Sequence, residues 1–150
     1  MKTSLLFLLV FLLATLSSCD KTPMNGDLDG MWQLVSIETP QGATPMKERR
    51  VFLCIQLQLM EWWNPTSENG HYFSHFSHQN DSLYIFDLCH ASTHTATGSD
   101  DQRVTAAEMA EGAMENWGIH TLDTRYRVRH LNAKDLTLEK EDTVYAFRKF

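Results

Sequence analysis

The sequence predicts one all-β domain: a meandering, mainly antiparallel sheet of seven or eight strands, closed into a barrel, with one short helix around residues 104–117. From Gly30 onward, apolar and polar residues mostly alternate with period two, and turn residues separate the runs. An aromatic content of 11% also favours strands. The connections are short, and closing such a meander into a barrel removes its exposed edges. A chain of 150 residues has room for one such core.

The first predicted strand is Met31 to Thr39, and it ends at the turn residues Pro40-Gln41-Gly42. The run from Val51 to Trp63 is predicted as one long strand. On that assumption, one face carries Leu53, Ile55, Leu57 and Leu59, and the other carries Cys54, Gln56, Gln58, Met60 and Trp62.

A hairpin follows over residues 71–88. The segment "HYFSHFSHQ", residues 71–79, forms its first strand, Asn80-Asp81 its turn and "SLYIFDL", residues 82–88, its return. Strand alternation places Tyr72, Ser74, Phe76 and His78 on one face of the first strand, and His71, Phe73 and His75 on the other.

The helix is predicted after a loop of small residues. Thr105 and Glu108 have capping-box spacing at its start, and Gly118 lies beyond its end. Gly112 weakens the intervening three turns. Three further strands, residues 123–131, 135–141 and 143–150, complete the sheet.

The N-terminus has the features of an export signal. Lys2 provides a positive start, and Leu5 to Leu16 is an apolar segment too short to span a bilayer. The next residues, Leu16-Ser17-Ser18-Cys19, resemble the bacterial lipobox, in which the cysteine is acylated and becomes the new N-terminus. The resemblance implies a signal peptide at 1–18, a lipidated Cys19 with a linker at 19–29, and a domain at 30–150. The alternative is an ordinary signal peptide cut after Ser18.

Charge limits the class of partner. The formal net charge is −6, and removing Lys2 with the signal leaves 12 basic and 19 acidic residues, a net charge of −7. With no basic run, we expect no nucleic-acid partner. The partner expected from the lipobox is a membrane, held through N-terminal acyl chains, since two or more chains make attachment stable.

The ends of the predicted barrel resemble those of lipocalins. Gly30-Met31-Trp32 has the G-x-W spacing of the first lipocalin strand, and Arg148 lies in the last strand. The resemblance implies that Arg148 covers Trp32 at the closed end of the barrel in a cation–π contact. The chain from Gly118 to Phe150, together with the lipobox, also resembles small lipocalin-like lipoproteins of unknown function in Gram-negative bacteria. This resemblance implies an envelope location, either periplasmic or at the cell surface.

The histidines allow two interpretations. On a strand, His71 and His75 lie about 13 Å apart, which is too far to share one ion. We expect His90 and His94 to lie in a loop, where they could form a metal site with Cys89 or with a histidine from the neighbouring strand. We favour hydrogen-bonded or exposed histidines and expect neither a metal site nor a cofactor.

Other reactive residues form no recognised catalytic pattern. Cys54 and Cys89 could pair in an exported chain or remain reduced, and the sequence leaves this open. There is no G-x-S-x-G, no HExxH and no paired-carboxylate signature, so we do not expect an enzyme. Arg125, Arg127 and Arg129 alternate on one strand face, which we expect to be solvated and paired with the acidic residues at 139–142. If this face pointed inward instead, it would bind an anion or a carboxylate.

Two functions fit these features. In the first, a membrane-anchored lipocalin-like barrel binds a small hydrophobic or amphipathic ligand in an interior lined partly by Gln56, Gln58, Met60 and Trp62. In the second, the barrel is filled by its own side chains and acts through its outer surface, as an interaction or inhibitor component of an envelope assembly. The second predicts a packed interior and an exposed patch on one side.

Overall fold

The computed structural model describes residues 24–67, 70–91 and 103–150. Within them the chain forms nine strands and one α-helix, α1, at Ala106–Ala110. Short 3-10 turns lie at Gly26–Leu28, Lys47–Arg49 and Glu115–Trp117. The strands are β1 Gly30–Thr39, β2 Gly42–Pro45, β3 Phe52–Gln56, β4 Leu59–Trp63, β5 His71–Gln79, β6 Ser82–His90, β7 Thr124–Leu131, β8 Asp135–Lys140 and β9 Thr143–Lys149.

The sheet closes on itself through the pairing of β1 with β9, and every neighbouring pair of strands is antiparallel. The strand β9 occupies one edge of β1 along Trp32–Glu38. The strands β2 and β3 therefore share the other edge, β2 beside Ser36–Thr39 and β3 beside Gly30–Gln33. Nine strands thus fill eight positions around the barrel, and the predicted meandering all-β barrel is confirmed.

The prediction of one strand from Val51 to Trp63 is wrong. The chain reverses at Leu57-Gln58, and Gln56 pairs with Leu59 across the turn. Leu57 has a left-handed φ of 58°, and its carbonyl oxygen accepts a hydrogen bond of 2.7 Å from Nδ2 of Asn25. Because the turn contains two residues, the inward-facing positions change from odd numbers on β3 to even numbers on β4: Leu53 and Ile55 are followed by Met60 and Trp62.

The helical segment is present near its predicted place but is split. The capping box of Thr105 and Glu108 forms as expected. α1 then ends at Ala110, and Gly112 adopts a φ of 86°, which a right-handed helix does not allow. The chain continues to the 3-10 turn at Glu115–Trp117. Met109, Met114 and Trp117 are buried from this segment, so it packs onto the barrel core.

The barrel interior is packed with large side chains. Trp32, Trp62 and Tyr126 are almost fully buried, and Trp117 packs edge-on against Trp62 at 6.0 Å. Indole Nε1 of Trp62 donates to Ser74 Oγ at 2.8 Å, and the Tyr126 hydroxyl donates to the Trp117 carbonyl at 2.6 Å. Nε1 of Trp117 has no hydrogen-bond partner among the described residues. The other large, fully buried side chains are Leu28, Leu34, Leu53, Met60, Leu83, Ile85, Met114, Ile119 and Leu136.

One end of the barrel is closed around Trp32. Its indole Nε1 donates to the Leu28 carbonyl at 2.8 Å, and Nζ of Lys149 lies 4.7 Å from its ring centroid. Lys149 therefore takes the place expected for Arg148, because Lys149 is the residue that pairs directly with Trp32 in β9, while Arg148 is exposed on the opposite side of the strand. Gly30 has a φ of 129°, which favours glycine, and a Cβ there would lie 2.8 Å from Cε of Lys149, so that the lysine side chain would have to shift.

No helix within the described ranges is both long enough and apolar enough to cross a membrane.

Replacing Gly118 by alanine should destabilise the fold strongly. Gly118 has a φ of 68°, and an added Cβ would overlap the hydroxyl of buried Tyr145. The backbone cost and overpacking together predict a loss of about 2–4 kcal/mol in the free energy of unfolding by urea. Gly26→Ala is the matched control, with a φ of 59° but open space around its Cβ, and it should lose only about 1 kcal/mol. Equal losses would contradict the packing described here.

Replacing Lys149 by methionine should lower stability by about 1 kcal/mol, because the cation over Trp32 and its hydrogen bond to the Asp27 carbonyl are lost while the apolar stem is kept. Arg148→Met should change the free energy of unfolding by less than about 0.5 kcal/mol. A larger loss for Arg148→Met than for Lys149→Met would restore the lipocalin-derived expectation.

Candidate functional site: an apolar groove on the outer face

The residues predicted to line the interior do not share one face. Met60 and Trp62 point into the core and are buried, whereas Gln56 and Gln58 are exposed at the β3–β4 turn. The cause is the turn at Leu57-Gln58, which the alternation pattern did not reveal. The four side chains therefore form no common lining, and the space inside the barrel is taken by the tryptophans and tyrosines described above.

A large hollow lies on the outside of the barrel, and we call it the outer groove. Its volume is about 730 Å³. It runs over the outer face of β3, β4 and β5 at the closed end and reaches the chain that precedes β1. Its lining residues are Met24, Asp29, Gly30, Cys54, Ile55, Gln56, Leu57, Leu59, Glu61 and Phe73.

Exposed apolar side chains concentrate along this groove. Met24 is 62% exposed, Leu57 59%, Leu59 45% and Phe73 37%. Phe150, 79% exposed, stands edge-on at 5.5 Å from Phe52, whose ring faces the same side of β3. Among the described residues, Leu122 is the remaining large apolar side chain that is exposed. A concentration of this kind marks a binding surface more often than scattered single residues do.

The polar groups in the groove are few and mostly engaged. Oε1 of Glu61 lies 2.5 Å from Nε2 of His71, a residue of the neighbouring strand β5. Cys54 lies directly across from Glu61, and burial, followed by the nearby Glu61 charge, raises the pKa of the Cys54 thiol. The thiol therefore stays protonated at neutral pH and is a poor nucleophile. This composition suits an apolar or amphipathic molecule.

A second, more polar hollow of about 450 Å³ lies at the opposite end of the barrel, between the β4–β5 loop and the α1 segment. Glu108 is its central charge. Thr105 donates to Glu108 from both its backbone N and its hydroxyl, and Glu108 Oε1 lies 2.9 Å from Nε2 of His90. These contacts, those of Thr105 first, lower the pKa of Glu108. Burial and the Glu108 charge raise the pKa of Tyr72, whose ring forms part of the wall.

Four of the described histidines contact side chains of neighbouring residues, whereas Nε2 of His78 is buried without a hydrogen-bond partner. Besides His71 and His90, Nδ1 of His75 lies 3.6 Å from Asp87, and Nε2 of His130 lies within hydrogen-bond distance of Asn132. In the three described ranges, no group of three His, Cys, Asp or Glu side chains could hold a metal ion. His94 lies outside the described residues.

The three arginines of β7 are on the outer surface, as expected. Arg127 and Arg129 lie 3.9 and 3.6 Å from Glu139 on β8, and Arg125 stacks over Tyr84 at 5.3 Å. Each arginine therefore contacts a neighbouring strand while remaining exposed to solvent.

The structure answers the question about the cysteines. Cys54, Glu61, Phe73 and Cys89 are successive partners across β3, β4, β5 and β6. Three strand spacings separate the two thiols by about 14 Å, well beyond the Cα separation of about 7 Å that a disulfide tolerates. Both are free cysteines in this fold.

Two solved structures resemble this fold over most of the chain. A lipocalin-like protein from Bacteroides uniformis is 22% identical, covers 83% of this chain and 100% of its own, and gives a TM-score of 0.59. An uncharacterized protein from Bacteroides eggerthii is 21% identical, covers 81% of this chain and 98% of its own, and gives a TM-score of 0.55. These identities support the fold and nothing finer. No curated protein matches.

The model of the lipocalin-like domain family matches residues 14–150, nearly the whole chain. The closed antiparallel barrel, the Gly30-Met31-Trp32 motif at its sealed end and a basic side chain from the last strand over that tryptophan agree with the match. The chain belongs to the lipocalin-like domain family.

Proposed function

We propose that this protein is a lipid-anchored component of the envelope of a Gram-negative bacterium, exposed to the periplasm or at the cell surface. The anchor is Cys19, acylated after removal of residues 1–18, which lie outside the described residues together with Cys19 itself. The lipobox Leu16-Ser17-Ser18-Cys19 supports this proposal, and so does the source of the two similar structures, both from Bacteroides.

We further propose that the domain is a binding module that works through the outside of its barrel. One observation carries this role: the interior is packed with large side chains, while an apolar hollow of about 730 Å³ lies outside. Binding inside would require displacing Trp62 and Trp117, which are close-packed and buried. The outer groove needs no such rearrangement, and it suits an apolar or amphipathic partner.

A second candidate is a small polar ligand at the end of the barrel opposite Trp32. The hollow of about 450 Å³ beside Tyr72 and Glu108 favours it, because several hydrogen-bonding side chains converge there. A catalytic role is not proposed, since the sequence carries no recognised catalytic motif.

The anchor has a direct test. The full chain, expressed in a Gram-negative host, should be purified from the membrane fraction with a mass that equals residues 19–150 plus acyl groups. Cys19→Ser should lack the acyl mass and leave that fraction. An unmodified Cys19 in the wild-type protein would overturn the anchoring proposal.

The groove is tested by the fluorescence of 1-anilinonaphthalene-8-sulfonate, a dye that binds exposed apolar surface. Leu59→Asp places a charge at the groove wall and should raise the Kd for the dye, titrated by its fluorescence, at least about threefold, which corresponds to about 0.7 kcal/mol. Leu122→Asp, at an exposed leucine outside the groove, is the matched control and should leave the Kd unchanged. An unchanged Kd in Leu59→Asp would argue against the groove.

A further inference from the structure

We propose that the outer groove docks on the lipid bilayer that holds the anchor, so that the β3–β4 turn faces the membrane. This inference rests on the proposed acylation of Cys19 and names the partner of the same groove. It is carried by three features: the short chain between anchor and groove, the position of the exposed apolar side chains, and the charge around them.

The chain between anchor and groove is short. Met24 lines the groove and lies only five residues after Cys19. Fully extended, those five residues span at most about 18 Å. Once Cys19 is acylated, Met24 and the part of the groove that it lines stay within that distance of the lipid headgroups. A short tether of this kind gives a high effective concentration and removes most of the cost of association.

The side chains nearest the anchor are also the most exposed apolar ones of the groove. Met24 and Leu57 are each more than half exposed, and Leu59 follows on β4. The turn that presents Leu57 is fixed to the chain before β1, because Nδ2 of Asn25 donates to the Leu57 carbonyl. The anchor and the apolar turn thus approach the same surface. Their contact with the bilayer would remove apolar area from water.

Charge selects the kind of lipid. Asp27 and Asp29 flank this end of the barrel, and the Asp29 carboxylate is held by the backbone N and side chain of Asn25. The ammonium of Lys149 is already placed over Trp32 and bonded to the Asp27 carbonyl. Lys134 and Arg148 lie beside Lys149 at this end, but Asp135 is directly across from Arg148. With Asp27 and Asp29, the acidic residues named match the basic ones in number, so no excess of positive charge among them favours anionic lipid. We therefore infer contact with zwitterionic headgroups such as phosphatidylethanolamine.

The test uses the acylated full chain in vesicles of phosphatidylethanolamine and phosphatidylcholine whose acyl chains are brominated near the headgroup. Bromine quenches only tryptophan that lies close to it. Leu57→Trp should add emission that brominated vesicles quench at least about twofold relative to unbrominated ones. Leu122→Trp is the matched control, and its added emission should be unaffected. Leu59→Trp repeats the measurement, in case tryptophan distorts the turn at Leu57.

The outcomes separate this inference from the anchoring proposal. Acylated protein in which neither Leu57→Trp nor Leu59→Trp is quenched overturns the docking and leaves the anchor intact. If the wild-type protein is found unacylated, the anchoring proposal is wrong. Quenching of Leu57→Trp by brominated vesicles then shows whether the unacylated domain still contacts the bilayer. If native mass spectrometry instead finds a dimer that Leu57→Asp abolishes, the groove belongs to a second copy and the membrane inference is wrong.

Discussion

The packing of tryptophan and tyrosine inside a small barrel is the constraint on which the rest of this structure depends. Trp32, Trp62, Tyr126 and Trp117 occupy the space that a ligand would need. Except for the indole of Trp117, which has no hydrogen-bond partner among the described residues, their polar atoms are bonded within the protein. Such an interior stabilises the closed sheet through burial of large aromatic surfaces. It also moves any binding function to the outside, because opening the core would forfeit that stabilisation.

The two-residue turn at Leu57-Gln58 connects the fold to the candidate site. By reversing the chain there, it leaves Met60 and Trp62 to fill the core and turns Leu59 and Glu61 outward. The same turn leaves Leu57 exposed at the closed end, beside the chain that leads to Cys19. A continuous strand through residues 51–63 would not have placed Leu57 at an exposed turn. The shape of the outer groove is therefore a consequence of one local backbone conformation.

Much of the fold follows from the sequence, since alternation and turn residues mark most strands. The candidate site does not follow from the sequence, because it depends on backbone conformation and strand register, which hydrophobic alternation does not reveal. Leu57 takes a left-handed conformation that usually belongs to glycine or asparagine, so the apolar run looked continuous. The basic residue over Trp32 was displaced by one position, since strand register and not residue type decides which side chain faces inward. The helix was located correctly, but it ends at Ala110, and Gly112 takes a φ of 86° that a right-handed helix does not allow.

The most direct test of an outer rather than an inner binding surface uses the indole N–H resonances of the four tryptophans. A monomeric zwitterionic lipid is added to isotope-labelled protein, and the two-dimensional amide spectrum is followed by nuclear magnetic resonance. Our account predicts shifts at the β3–β4 turn and at Leu59, with the indoles of Trp32, Trp62 and Trp117 unchanged. Shifts at the Trp62 and Trp117 indoles, with a silent turn, would mean that the barrel opens to take its ligand inside and would contradict the account.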